Sequence, residues 1–152
     1  MSKSLARVTE VLRLAGYPAV PLEMPGDTRT AVQAAAAAGC ELDQIVKSIL
    51  FQGVSGRLYL FLTAGGNQVD AARASALAGE PLGRADAAAV RAVTGFAIGG
   101  VAPIGHLTAL PVWMDRRLMD FEQVWAAAGT PRHIFASDPV DLQRMAGAIL
   151  AD

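Results

Sequence analysis

Ile45-Val-Lys-Ser-Ile-Leu-Phe51 and Leu58-Tyr-Leu-Phe-Leu-Thr63, separated by Gly53-Val-Ser-Gly56, decide the fold. Both runs are short and rich in β-branched, leucine and aromatic residues. The glycine-bounded spacer suits a chain reversal, so they read as a hairpin with both faces largely buried. Period-two alternation sets Lys47 on the face of Ile45, Ile49 and Phe51, and Val46, Ser48 and Leu50 on the other. A buried ammonium without a partner costs on the order of several kcal/mol, so Lys47 must reach a partner, water or a ligand cavity. Snorkelling of its stem to solvent is the structural alternative.

Working outward, Leu5, Val8, Val11, Leu12 and Ala15 recur at helical spacing and meet Gly16 and Pro18, which predicts a helix over residues 4–15. Residues 19–23 read as a short edge strand. Thr30-x-x-Gln33 has the form of a capping box that opens the run Ala31 to Ala38, closed by Gly39. Asp70 to Ala78 and Asp86 to Val93 are two further helices, each with an acidic N-cap and a glycine stop. Leu110 to Met114, Phe121 to Ala127 and Arg132 to Ala136 read as strands. Asp138 and Pro139 open a closing helix with the stripe Leu142, Met145, Ala146, Ile149 and Leu150. Without a regular βαβ rhythm, the chain is expected to be α/β of the α+β type. One domain over residues 1–152 would hold a mixed, curved or barrel-like sheet surrounded by helices.

Composition narrows the function. The formal net charge is −1, so the chain lacks the broad positive surface that grips long nucleic acid, and DNA is not an expected partner. Cys40 is the single cysteine, which excludes an intrachain disulfide and a multi-cysteine zinc site. His106 and His133 lack clustered acidic partners, so neither metal nor cofactor is expected. A Cys40 nucleophile with either histidine as base lacks recognisable catalytic context. The N-terminus has no signal-peptide core and no run approaches the ~20 apolar residues of a membrane span, so the expectation is a cytoplasmic protein without membrane contact.

Thr94-Gly-Phe-Ala-Ile-Gly-Gly-Val-Ala-Pro-Ile-Gly-His106 places four glycines and a proline between structured elements. Such a loop allows close backbone approach and N–H groups that converge on an oxyanion or phosphate, although it matches neither a Walker loop nor a dinucleotide-binding spacing. Asp115, at a strand end, suits either a functional carboxylate or an N-cap for the turn that follows.

Taken together, Gln44-Ile-Val-Lys-Ser-Ile-Leu-Phe51, the loop Thr94 to His106 and Leu110-Pro-Val-Trp-Met-Asp115 resemble the YbaK-like aminoacyl-tRNA deacylases, a family that includes the insertion domain of bacterial prolyl-tRNA synthetases and its freestanding relatives. The resemblance spans nearly the whole chain. It implies a YbaK-like fold and hydrolysis of the ester joining a wrong amino acid to the terminal adenosine of a tRNA, typically proline tRNA.

In the matching positions Lys47 is the residue most tied to activity, and Gly99 and Gly100 line the pocket with backbone groups. Pro103, Gly105 and His106 complete the loop, while Ser48, Asp115 and Ser137 join them as substrate-binding candidates. Ser137 also suits a helix cap. Ser48 stands where some relatives carry Asn or Thr, which leaves alanine, serine, threonine, cysteine and 2-aminobutyrate open as the amino acid removed. The implied partner is the tRNA acceptor end, with prolyl-tRNA synthetase or an elongation factor as further partners. Two other readings stay open: an inactive module that binds aminoacyl-tRNA or a nucleotide for regulation, and a domain that acts through protein contacts.

Overall fold

The computed structural model describes residues 2–18 and 20–151. Eight strands in these residues, β1 (Leu22–Glu23), β2 (Ile45–Gly53), β3 (Leu58–Ala64), β4 (Leu82–Arg84), β5 (Val112–Asp115), β6 (Val124–Ala127), β7 (His133–Ser137) and β8 (Ile149–Ala151), form one mixed sheet in the order β1-β7-β6-β2-β3-β5-β8, with β4 also paired to β2. Its centre is the expected hairpin, β2 (Ile45–Gly53) and β3 (Leu58–Ala64), antiparallel from Val46↔Ala64 to Gln52↔Leu58. Every residue of β3 is buried. Its alternation splits the core: Leu58, Leu60, Leu62 and Ala64 join the main cluster, while Tyr59 and Phe61 pack with Trp113 and Ala74 on the opposite face.

Parallel pairs join β2 to β6 (Val124–Ala127), β3 to β5 (Val112–Asp115) and β5 to β8 (Ile149–Ala151). Antiparallel pairs join β6 to β7 (His133–Ser137) and β7 to β1 (Leu22–Glu23). The sheet is open, since no described pairing links β1 to β8. Of the predicted edge strand, Leu22 and Glu23 pair as expected, and Ala19 lies outside the described residues.

The helices follow their caps. In α1 (Lys3–Leu14) Leu5, Val8 and Leu12 are buried. The capping box of Thr30 and Gln33 opens α2 (Ala31–Ala38), and Gly39 ends it in the left-handed conformation. Asp70 and Asp86 cap α3 (Ala71–Ala78) and α4 (Ala87–Thr94).

Two expectations are corrected. The closing helix α5 (Pro139–Ala146) stops at Gly147, φ +63°, so Ile149 and Leu150 leave its stripe and form β8 against β5. The short strand β4 (Leu82–Arg84) was not anticipated: three residues after Pro81 carry no alternation, and only pairing with Phe51–Gly53 makes them a strand.

Candidate functional site

β2 is paired along the whole of one edge but not of the other. On that second edge β6 covers Ile45 and Val46, and β4 covers Phe51 to Gly53, leaving Lys47 to Leu50 without a neighbouring strand. The Gly53 N–H donates to the Arg57 carbonyl at 2.9 Å. By alternation of an antiparallel ladder, Phe51, Ile49 and Lys47 then turn their backbone groups to β3, and those of Ser48 and Leu50 turn to the gap.

A cavity of about 520 Å³ wraps around this gap. Thr28 to Ala31 and Ala34 wall one side, Ile98, Gly99 and Val101 another, and Trp125 to Ala127 the third. Its ionisable lining consists of Arg29, Lys47 and Arg84, without a carboxylate. Arg29 leans on Asp27 at 3.6 Å at the surface, whereas Arg84 has no ion-pair partner among the described residues.

Lys47 lies on the face of Ile45, Ile49 and Phe51, as alternation predicts, and is half-buried. Its ammonium donates to the carbonyl of Asn67, in the loop after β3, and no carboxylate of the described residues comes within ion-pair distance. Ser48 takes the other face, toward Val46 and Leu50. Its Oγ is buried and has no hydrogen-bond partner, the one described side-chain polar atom of which this holds. A buried hydroxyl without a partner costs roughly 1–3 kcal/mol, and such costs persist mainly at sites shaped for something other than stability.

The glycine loop is built for shape. Ala97 to Gly100 form a turn closed by the Gly100 N–H on the Ala97 carbonyl at 3.0 Å, and Gly99 holds φ +93°, as the third residue of a type II turn requires. Gly99 lines the cavity; Gly100 does not. A Cβ on Gly100 would stand 3.1 Å from the Thr130 backbone, so this glycine is there for close packing. Of the two N–H groups expected to face a ligand, that of Gly100 is hydrogen-bonded within its turn.

Behind the turn, Phe96 is fully buried and Arg7 stacks on it at 4.6 Å while donating to the Gly105 carbonyl at 2.7 Å. Arg7 thus fastens the loop to α1, a role invisible in sequence because 98 residues separate the partners.

The remaining candidates lie outside the cavity. Pro103 is buried in the loop interior, and Gly105 faces Val8, Val11 and Phe96. His106 meets the Ala102 carbonyl at 2.8 Å through Nε2 and sets its edge against Phe96. Burial pushes its pKa below the ordinary 6.5, against the opposing Ala102 bond and with help from Arg7. Ser137 Oγ donates to the Asp138 carbonyl at 2.8 Å, and the helix cap is Asp138 itself.

Asp115 Oδ2 accepts from the Ala64 N–H and Asn67 Nδ2, and Oδ1 from the Arg117 N–H, so its carboxylate is spent on protein partners. Cys40 packs beside Ala34, Ala35 and Ile45, and burial raises its thiol pKa, with Glu41 adding to the rise. His133 holds Thr130 Oγ1 at 2.6 Å, and no thiolate–imidazole pair forms.

The structure thus gathers Lys47, Ser48 and Gly99 and sets the other sequence candidates apart. It adds Thr28, Arg29, Arg84 and Trp125, which no motif marked, and Ile98 from within the glycine loop. The available signals were an arginine just ahead of the Thr30 cap and another ahead of the Asp86 cap.

Residues 25–145 match the sequence profile of the family described as the aminoacyl-tRNA editing domain. The crystal structure of a candidate trans-editing enzyme for prolyl tRNA synthetase is 46% identical and covers 100% of this chain and 97% of that one, at a TM-score of 0.92. The hypothetical protein APE2540 is 29% identical at a TM-score of 0.88, covering 96% of this chain and 97% of its own. YwhH, an uncharacterized protein of Bacillus subtilis (strain 168), is 29% identical over 120 residues, which are 79% of this chain and 76% of YwhH. No helix among the described residues is long and apolar enough to cross a membrane.

Proposed function

The chain belongs to the aminoacyl-tRNA editing domain family, and on that premise we propose that it is a trans-editing hydrolase. Its substrate is mischarged tRNA, foremost proline tRNA carrying a small non-cognate amino acid. The observation that carries this reading is the cavity on the open edge of β2, whose charged lining is Arg29, Lys47 and Arg84 alone. In a chain of net charge −1, cations gathered without a carboxylate suit a polyanion end. The volume of about 520 Å³ lies in the range of roughly 300–1,000 Å³ typical of small-ligand sites and suits one aminoacylated nucleoside. Trp125 offers a face for the terminal adenine, a stacking contact of ~1–3 kcal/mol per base.

Hydrolysis here needs no protein nucleophile, because an aminoacyl ester is already activated and its ribose oxygen is a competent leaving group. Water adds to the carbonyl carbon, the C–O bond to the ribose breaks as the tetrahedral intermediate collapses, a proton from the attacking water ends on the ribose oxygen to give the hydroxyl, and the free amino acid departs. Lys47 supplies positive charge to the acceptor-end phosphate or to the carbonyl oxygen as it becomes negative. The donors suited to that oxygen are the Gly99 N–H and the N–H groups that Ser48 and Leu50 turn to the gap. Prolyl-tRNA synthetase and elongation factor are the partners that would hand over the charged tRNA.

The test is release of labelled amino acid from proline tRNA charged with alanine, serine, threonine, cysteine or 2-aminobutyrate. Lys47→Ala should lower the rate by about 10²–10³, the usual effect of losing one transition-state donor, with Tm unchanged. Release from none of the five would favour the inactive binding module. Undiminished release by the variant would remove Lys47 from the chemistry.

A further inference from the structure

The loop after β3, residues 65–70, is pinned at several points. Gly65 runs so close to the short 3-10 turn Leu42–Gln44 that an added Cβ would lie 2.1 Å from the Leu42 carbonyl. The Gly66 N–H donates to Asp43 Oδ1 at 2.8 Å. Asn67 Nδ2 donates to Asp115 Oδ2 at 2.9 Å, and the same oxygen takes the Ala64 N–H at 3.1 Å. Arg117 ties the two carboxylates together, its Nε on Asp43 Oδ2 at 3.1 Å and its N–H on Asp115 Oδ1 at 2.9 Å. What this frame presents to the rest of the molecule is the Asn67 carbonyl, and Lys47 donates to it.

We propose that Asn67 and Asp115 are positioning residues for Lys47, fixing the ammonium through a neutral carbonyl so that its whole charge stays available to the substrate; this rests on the editing reading of the site. The alternative way to hold a half-buried lysine is an ion pair, which would set a carboxylate against the incoming phosphate or oxyanion. Here two carboxylates stand nearby and both are used up on the loop and Arg117. The Asp43 carboxyl is held below its ordinary range first by Arg117 and then by the Gly66 N–H, with the charge of Lys47 the last contribution.

Lys3 and Lys47 are the only lysines in the sequence, so protein labelled with 13C at lysine Cε gives two signals, assigned by Lys47→Arg. Asn67→Ala keeps the backbone carbonyl that Lys47 uses but removes the side-chain bond to Asp115 that holds it in place, at an exposed position, and should shift or broaden the Lys47 signal while leaving that of Lys3 in place. On a mischarged tRNA it should lower kcat about tenfold with KM changed less than twofold. Asp115→Ala should move the Lys47 signal in the same direction; where loss of its bond to Ala64 unfolds the chain, Asn67→Ala decides alone. An unmoved Lys47 signal in a folded Asn67→Ala protein overturns the proposal, as does a kcat within twofold of the parent. The spectrum reads positioning without turnover, so inactivity of the parent on every tRNA would defeat the editing reading while the Lys47 signal still answers this question.

Discussion

Ser48→Ala removes a buried hydroxyl that holds no hydrogen bond and so separates fold from function at one atom. Burying a hydroxyl without a partner costs roughly 1–3 kcal/mol by mutational measures. Its deletion returns that cost, less the dispersion contacts of one oxygen, which are worth about 0.1–0.2 kcal/mol per atom pair. The alanine methyl keeps the serine Cβ in place, and neither serine nor alanine is a strong strand former, so propensity contributes little. The expected net effect is a gain of about 1 kcal/mol, which for a chain of this length raises Tm by about 2–4 °C.

Urea denaturation and calorimetry at pH 7 measure it, with the m-value unchanged. Deacylation should move the other way for amino acids whose side chain reaches Ser48: release of serine or threonine relative to alanine falls by about two- to tenfold, since a neutral hydrogen bond is worth about 0.5–1.5 kcal/mol. A loss of 1 kcal/mol or more in the variant would refute the reasoning, because the hydroxyl would then have been contributing a favourable bond.

Two further outcomes follow from the lining and the loop. Arg29→Ala and Arg84→Ala should each weaken tRNA binding and flatten its salt dependence by about 0.7 in the log–log slope per lost single-strand phosphate contact, measured by titration between two salt concentrations. The His106 pKa is lowered by burial, so the unfolded chain takes up the proton first. That part of the stability is fully present above about 6.5 and is lost as pH falls toward the folded-state value. His106→Gln should flatten the decline of Tm in that window, and an identical decline in the variant would exclude the histidine as its source.

Sequence legibility tracked how local each cause was. Caps and stops are local, so Thr30 with Gln33, Asp86, and Gly39 marked helices that formed as read. The hairpin was equally plain, because alternation and a glycine-bounded turn sit within twenty residues. Ile149 and Leu150 went wrong because the spacing 142, 145, 146, 149, 150 is helical in form, while the deciding influence is the edge of β5, thirty-odd residues away. At the site, Lys47 stood out as a cation in an apolar strand. The spent state of Asp115 did not, since Asn67 and Ala64 lie 48 and 51 residues from it. Gly100 looked like a donor by composition, and its commitment to Ala97 is a matter of turn geometry that no residue type announces.

The stretch of β2 between the ends of β6 and β4 behaves as a window whose frame belongs to other parts of the chain. Its width is set by where two neighbouring strands stop, not by the strand that carries Lys47. Lengthening β6 past Ala127 or starting β4's pairing nearer Leu50 would narrow the aperture one residue at a time, and trimming either would widen it. The size of the opening is then adjustable at the ends of β6 and β4, with the strand that carries Lys47 and its supporting loop left untouched.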